Sequence, residues 1–149
     1  MIKITLCNES EDDRNEIYRL LQGLVEKSKI IIQEIPMWNE VTFLSEDYTL
    51  IRLRIRDIYY FEYYNRKVKI VTTESIYICI GEKIGDIAVK MKGFGFAMSH
   101  QSYVVNLYQI AKITQQLLIM KNGDAVYLAQ KRAATIRKEL RSQSEKILL

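Results

Sequence analysis

The chain has 149 residues, 48% of them hydrophobic and 27% charged, which is an ordinary globular balance needing neither disulfide nor metal to hold a core. No apolar run is long enough to cross a bilayer, and no leader-like start precedes one, so a cytoplasmic location is expected. The net charge of +4 is unevenly spread: residues 1–40 carry five Lys/Arg against eight Asp/Glu, whereas residues 41–149 carry seventeen against ten, which gives the second part a polyanionic partner as its expectation.

Taken in chain order, Met1–Leu6 alternates Ile2, Ile4 and Leu6 with Lys3 and Thr5 and reads as a strand. The polar turn Asn8–Asp13 then opens a helix from about Glu11 to Lys27, with Ile17, Leu20, Leu21 and Leu24 on one face. Lys29–Ile35 is a second strand, stopped by Pro36. Residues 1–36 thus form one short β-α-β segment, and a separate unit is expected over 41–149.

After Pro36 strands dominate. Val41–Leu44, Tyr48–Ile55, Ile58–Tyr63, Lys67–Thr72 and Ser75–Ile80 are rich in Ile, Val, Tyr and Thr and separated by short polar breaks. Ile51, Leu53 and Ile55 alternate with Arg52, Arg54 and Arg56, the pattern of a half-buried strand with a solvated basic face. Asn65-Arg66 is a hairpin turn candidate. Gly81–Lys92 has helical periodicity through Ile84, Ile87, Ala88 and Met91. A short strand follows at Ala97–His100, then a mixed segment, Tyr103–Ile110. Ile113–Met120 and Asp124–Ala129 should pair across Lys121-Asn122-Gly123, because Asn-Gly takes positive φ cheaply. A helix over about Lys131–Lys146 ends the chain.

Catalysis is not expected. One His and two distant cysteines, Cys7 and Cys79, supply no metal-binding cluster, Gly93-x-Gly95 lacks the rest of a phosphate-binding loop, and the carboxylates are scattered. No metal or cofactor follows from these residues. Each cysteine lies in an apolar run and reads as a buried thiol of a reducing compartment, although one disulfide between them is open on sequence alone. The acids of Asn8–Asp13 following a strand could hold Mg²⁺, but a solvated helix N-terminus is the simpler reading. Residues 1–35 resemble the opening of a response-regulator receiver domain. Asn8 and Glu9 stand where that family has two adjacent acids, so one acid is lost. The strand pattern changes before a phospho-accepting Asp or the later Lys could occur, and phosphorylation by the family mechanism is not expected.

Basic residues on loop tips of a β scaffold are suited to reach phosphates and base edges. Three tips qualify: Tyr63-Tyr64-Asn65-Arg66-Lys67, Ser99-His100-Gln101-Ser102 and Gln130-Lys131-Arg132. The same places carry a resemblance. Asp57-Ile58-Tyr59-Tyr60-Phe61-Glu62, His100-Gln101-Ser102-Tyr103-Val104-Val105-Asn106, Ile110 and Ile113, the Asn122-Gly123 turn and Tyr127–Arg132 fall in the order of LytTR DNA-binding domains, over about residues 41–142.

That resemblance implies a mainly β fold, an elongated stack of small antiparallel sheets with a C-terminal helix, here preceded by the N-terminal β-α-β segment. It also implies a double-stranded DNA partner at promoters, with loops inserted into successive major grooves. Carried over by position, the DNA-binding residues are Asn65, Arg66 and Lys67, then His100 and Gln101, then Lys131 and Arg132. Gln101 departs from relatives that carry Arg there, so their target sequence does not transfer. Tyr103, Val104 and Val105 are expected in the core, Asn106 as a structural hydrogen-bonder, and one of Arg137, Lys138 and Arg141 at a phosphate. The expected function is a sequence-specific transcription regulator of two-component type. The alternative is an interaction protein that modulates a full-length response regulator through the edge of its N-terminal strand pair, and a second copy of the chain is a further candidate partner.

Overall fold

The computed structural model describes residues 2–6, 16, 19, 30–34 and 40–144. β1 (Ile2–Leu6) and β2 (Ile30–Glu34) pair in parallel, Ile2 opposite Ile30 and Leu6 opposite Glu34. Parallel neighbours need a crossover connection. The helix expected over 11–27 lies outside the described residues except at Glu16 and Arg19, which are helical. Cys7 and the acidic turn at 8–13 also lie outside them.

From Glu40 the chain builds three layers around one central sheet. β3 (Glu40–Leu44) and β4 (Leu50–Arg54) form an antiparallel hairpin. The central sheet has β5 (Ile58–Tyr64), β6 (Lys67–Thr72), β7 (Ile76–Cys79), β8 (Phe96–His100) and β9 (Tyr103–Asn106), in spatial order β7-β6-β5-β9-β8 and antiparallel throughout. α1 (Ile84–Met91) connects β7 to β8. A third sheet of β10 (Ile110–Ile113), β11 (Leu117–Met120) and β12 (Ala125–Tyr127) precedes α2 (Gln130–Ser144). The result is mainly β, with small antiparallel sheets and a terminal helix, as the sequence implies.

Period-two alternation explains why the central strands are apolar at successive positions: both of their faces are covered. Phe61, Ile70 and Val104 pack with Phe43 and Leu53 of the hairpin and Ile87 and Met91 of α1. Their chain neighbours Tyr60, Val71 and Val105 pack on the other side with Leu118, Met120 and Val126 of the third sheet and Ala133 and Ile136 of α2. A register shift between Ile58 and Tyr60 lets Tyr59 join Tyr60 on that second side. The hairpin is tied to the outer strand β7: Glu46 N–H donates to the Ile78 carbonyl at 3.0 Å, and Ile80 N–H to that of Leu44 at 2.9 Å. That cover blunts part of an exposed sheet edge. Cys79 is a buried free thiol, pushed up to about 11, chiefly by that burial.

Several boundaries differ from expectation for local reasons. The strand expected from Tyr48 begins at Leu50, because Tyr48 turns left-handed at φ 63°. The single strand expected over Ile113–Met120 is two, broken at Thr114–Gln116. There the Thr114 hydroxyl accepts from Leu117 N–H at 3.0 Å and donates to the Leu117 carbonyl at 3.1 Å, closing a turn with no Gly or Pro. Tyr103–Ile110 divides into β9, a 3₁₀ turn over Leu107–Gln109 and the start of β10. In the β11–β12 turn only Gly123 takes positive φ, 92°, and its N–H donates to Met120 at 2.9 Å, the form of a three-residue hairpin loop.

Gly95 is the other glycine whose identity is dictated. Its φ is 86°, and a Cβ there would lie 2.4 Å from Cε2 of Tyr108. Gly95→Ala should destabilise the fold by about 1–2 kcal/mol through the left-handed backbone, with Tyr108 swinging aside. Urea melts of the two proteins would check this, and equal midpoints would mean that the backbone can relax at that turn.

Candidate functional site

The three loops singled out from the sequence lie at one end of the central sheet. Strands β5 and β9 are neighbours, with Glu62 opposite Tyr103, and Tyr63 N–H donates to the Ser102 carbonyl at 2.7 Å just beyond that pair. The β5–β6 and β8–β9 turns are therefore side by side. Arg66 and Gln101 line one open cleft of about 510 Å³ between them. Ala129 N–H donates to the Ser99 carbonyl at 2.7 Å, which places the start of α2 against the outer strand β8, next to His100. Residues 35 and 30 positions apart in the chain thus become a row of three turns: Arg66, Gln101, Lys131.

The β5–β6 turn is a two-residue turn with positive φ at both Asn65 (51°) and Arg66 (64°), matching the twist of the flanking strands. An Arg in that conformation costs about 1 kcal/mol relative to Gly. Asn65, Arg66 and Lys67 are exposed, and Arg66 has no ion-pair or hydrogen-bond partner among the described residues. Lys67 is paired with Glu46 at 2.6 Å. Both groups are half exposed, so the pair is weak and open to exchange for a phosphate.

His100 is held in place. Its Nδ1 accepts from Ser102 N–H at 3.1 Å, and its ring lies 6.0 Å from Tyr103 and 5.8 Å from Tyr127. With Nδ1 accepting, the ring hydrogen is on Nε2, which is left as a donor. Gln101 is exposed at the tip and Lys131 is exposed on the first turn of α2. Arg132 differs: it is half-buried, and its Nε is buried without a partner among the described residues. Successive helix residues diverge by about 100°, so Lys131 and Arg132 do not share one face.

A polar strap fixes the stems of the first two tips. Tyr103 OH donates to Glu62 Oε1 at 3.0 Å, and Lys69 Nζ lies 3.1 Å from Glu62 Oε2 and 5.0 Å above the Tyr64 ring. Burial first, then the bond to Glu62, pushes the Tyr103 phenol up to about 12, so it stays a neutral donor at physiological pH. The strap runs across β6, β5 and β9, three of the four strands that carry the two tips.

Other candidates from the sequence separate cleanly. Val104 and Val105 are fully buried, while Tyr103 is half-buried with its hydroxyl on the strap. Asn106 is 2% exposed and bonded only to backbone, a structural role. Arg137 donates to the Thr114 carbonyl at 3.3 Å, whereas Lys138 and Arg141 are exposed. Arg52 pairs with Glu40 at 3.5 Å within the β3–β4 hairpin. Two residues at the site carried no expectation. Tyr127 is 60% exposed beside His100, and its signal was a large aromatic at an outward position of a short strand. Lys83 lines the cleft from the entry to α1, and the helical reading of Gly81–Lys92 gave it no separate role.

Among the described residues no helix is long and apolar enough to cross a membrane, and no three His, Cys, Asp or Glu side chains gather where a metal could bind. No curated protein matches the chain. A solved LytTr DNA-binding domain, from a Bacillus cereus protein described as a methyl-accepting/DNA response regulator, matches with a TM-score of 0.59 and 24% identity. The match covers 68% of this chain and 95% of that one, and at this identity it speaks for the fold. The family model for the LytTr DNA-binding domain matches residues 48–141. That span begins too late to support the receiver resemblance of residues 1–35, but it takes in all three turns and, apart from Phe43 of β3, the buried residues of both cores. By that match the chain belongs to the LytTr DNA-binding domain family.

Proposed function

We propose that residues 41–149 are a sequence-specific reader of promoter DNA, within a DNA-binding regulator of the response-regulator type, and that residues 1–36 form a separate unit. The observation that supports this is the row of three turns at one end of the central sheet, with the side chains of Arg66 and Lys131 at its two ends exposed and in no ion pair among the described residues. Arg66 and Lys131 supply phosphate contacts, with Lys67 joining when DNA displaces Glu46, and these give most of the affinity. His100 Nε2 and the Gln101 amide read base edges. Gln pairs with adenine at N6 and N7, where Arg would favour guanine, and a good pair is worth roughly 1–3 kcal/mol of discrimination. Asn65 shapes the first tip, and Arg132 serves through its packing at the base of the third. A DNA partner places the protein in the cytoplasm, and pairing of two copies on tandem sites is the simplest assembly.

Titrating the full chain against promoter fragments and bulk DNA at physiological salt tests this directly. Arg66→Ala and Lys131→Ala should each weaken binding on all sequences and flatten the slope of log affinity against log salt by about 0.9. If the chain prefers no fragment over bulk DNA, sequence-specific reading is wrong. The alternative, modulation of a full-length regulator without DNA contact, would then be left standing, and capture of that regulator by the chain would be its signature.

A further inference from the structure

The cleft between the first two tips has a third wall that the reading above does not use. Glu82, Lys83 and Gly85 at the entry to α1 line it together with Arg66 of the first tip and Gln101 and Ser102 of the second. We propose that one DNA backbone phosphate seats in this cleft, held from opposite sides by Arg66 and Lys83; this rests on the DNA-binding function proposed above.

The electrostatics favour it. The Lys83 side chain is exposed and its ammonium, like the Arg66 guanidinium, has no ion-pair or hydrogen-bond partner among the described residues. The acid in the lining, Glu82, would repel a phosphate if its charge were free. It is not: Lys90 Nζ donates to both of its oxygens, at 2.7 and 3.0 Å. The remaining charges of the lining are two uncompensated cations, and Gln101 and Ser102 between them are neutral and polar. Backbone geometry separates the two neighbours. Lys83 is extended, φ −100° and ψ 144°, which lets its side chain diverge from that of half-buried Glu82. A diester phosphate brings one negative charge and two unesterified oxygens, enough for one cation on each side.

A phosphate contact releases counterions and is blind to sequence, which distinguishes it from a base contact. Affinity of the full chain for its preferred duplex and for bulk duplex should be measured across salt for the wild type, Lys83→Ala and Lys92→Ala. Lys92 is an exposed lysine just past the other end of α1, outside the cleft. Lys83→Ala should flatten the salt slope by about 0.9 on both duplexes, so that its deficit against the wild type shrinks about threefold from 50 to 200 mM salt. Lys92→Ala should leave the slope as it was.

An unchanged slope in Lys83→Ala, with the wild type still binding its preferred duplex, overturns the Lys83 contact and leaves the DNA-binding function intact. An equal loss from Lys92→Ala also overturns it, since the effect would then be one of total charge. If the wild type binds neither duplex, both proposals fall.

Discussion

Phe61→Ala should lower the stability of the folded chain by about 4 kcal/mol, the upper range for truncating a buried aromatic. Phe61 is 0% exposed, and its ring lies 5.6 Å from Phe43 and 5.7 Å from Phe96 in tilted contacts. Those partners come from the β3–β4 hairpin and from β8. One ring therefore joins the outer hairpin to two strands of the central sheet, and its loss removes both its transfer energy and the aromatic contacts on either side. A domain of this size is stable by about 5–15 kcal/mol, so the change takes a large share. Urea denaturation should show a much lower midpoint with an unchanged slope. A loss below about 2 kcal/mol would mean that the hairpin layer is not packed through this ring.

Asn106→Ala should cost about 3 kcal/mol, although it removes little apolar surface. The Asn106 amide donates to the Ile58 carbonyl at 2.9 Å and, at longer range, to that of Ile55 at 3.4 Å, while its Oδ1 accepts from Tyr108 N–H at 3.1 Å. The Ile55 carbonyl and the Tyr108 amide belong to two irregular turns, Ile55–Asp57 and Leu107–Gln109, and Ile58 opens β5 immediately after the first of them. Ala removes the donor from the Ile58 carbonyl, in a buried bond, and the Asn106 acceptor from the Tyr108 N–H. Asp should not rescue the loss, because a carboxylate would face the Ile58 carbonyl where a donor is required. Denaturation gives the size of the effect. The salt-dependent affinity of whatever folds should show unaltered base preference, since Asn106 ends the string that begins with His100 and yet touches only backbone. A changed preference in the folded Asn106→Ala protein would put it at the DNA instead.

Much of this was legible in the sequence where the signal is local. The alternation of Leu53 with Arg52 and Arg54 marks a strand with one wet face, and Asn65-Arg66 marks the turn at which both residues take positive φ. The turn at Thr114–Gln116 was not legible, because it is closed by a hydroxyl in a stretch without Gly or Pro. Nor could local pattern say that Tyr60 and Phe61 serve different cores, since a strand covered on both faces loses its alternation. The candidate residues themselves were found from loop chemistry and family resemblance. Their assembly into one row was not visible, because it depends on β5 pairing with β9 across some forty residues of chain. Lys83 was missed for the same reason, and the inward turn of Arg132 depends on where α2 meets β8.

The burial of the central sheet on both faces has a consequence for how such a module can vary. Phe61, Val68, Ile70, Val104 and Val105 are each 0% exposed, so change along these strands is felt at once in the packing. The tips at Arg66, Gln101 and Lys131 lie outside both cores, and substitutions there leave the scaffold undisturbed. Under the proposed DNA-reading role, heredity can therefore explore new targets at a handful of tip positions while the frame behind them is held nearly still, and a change of address need not become a change of fold.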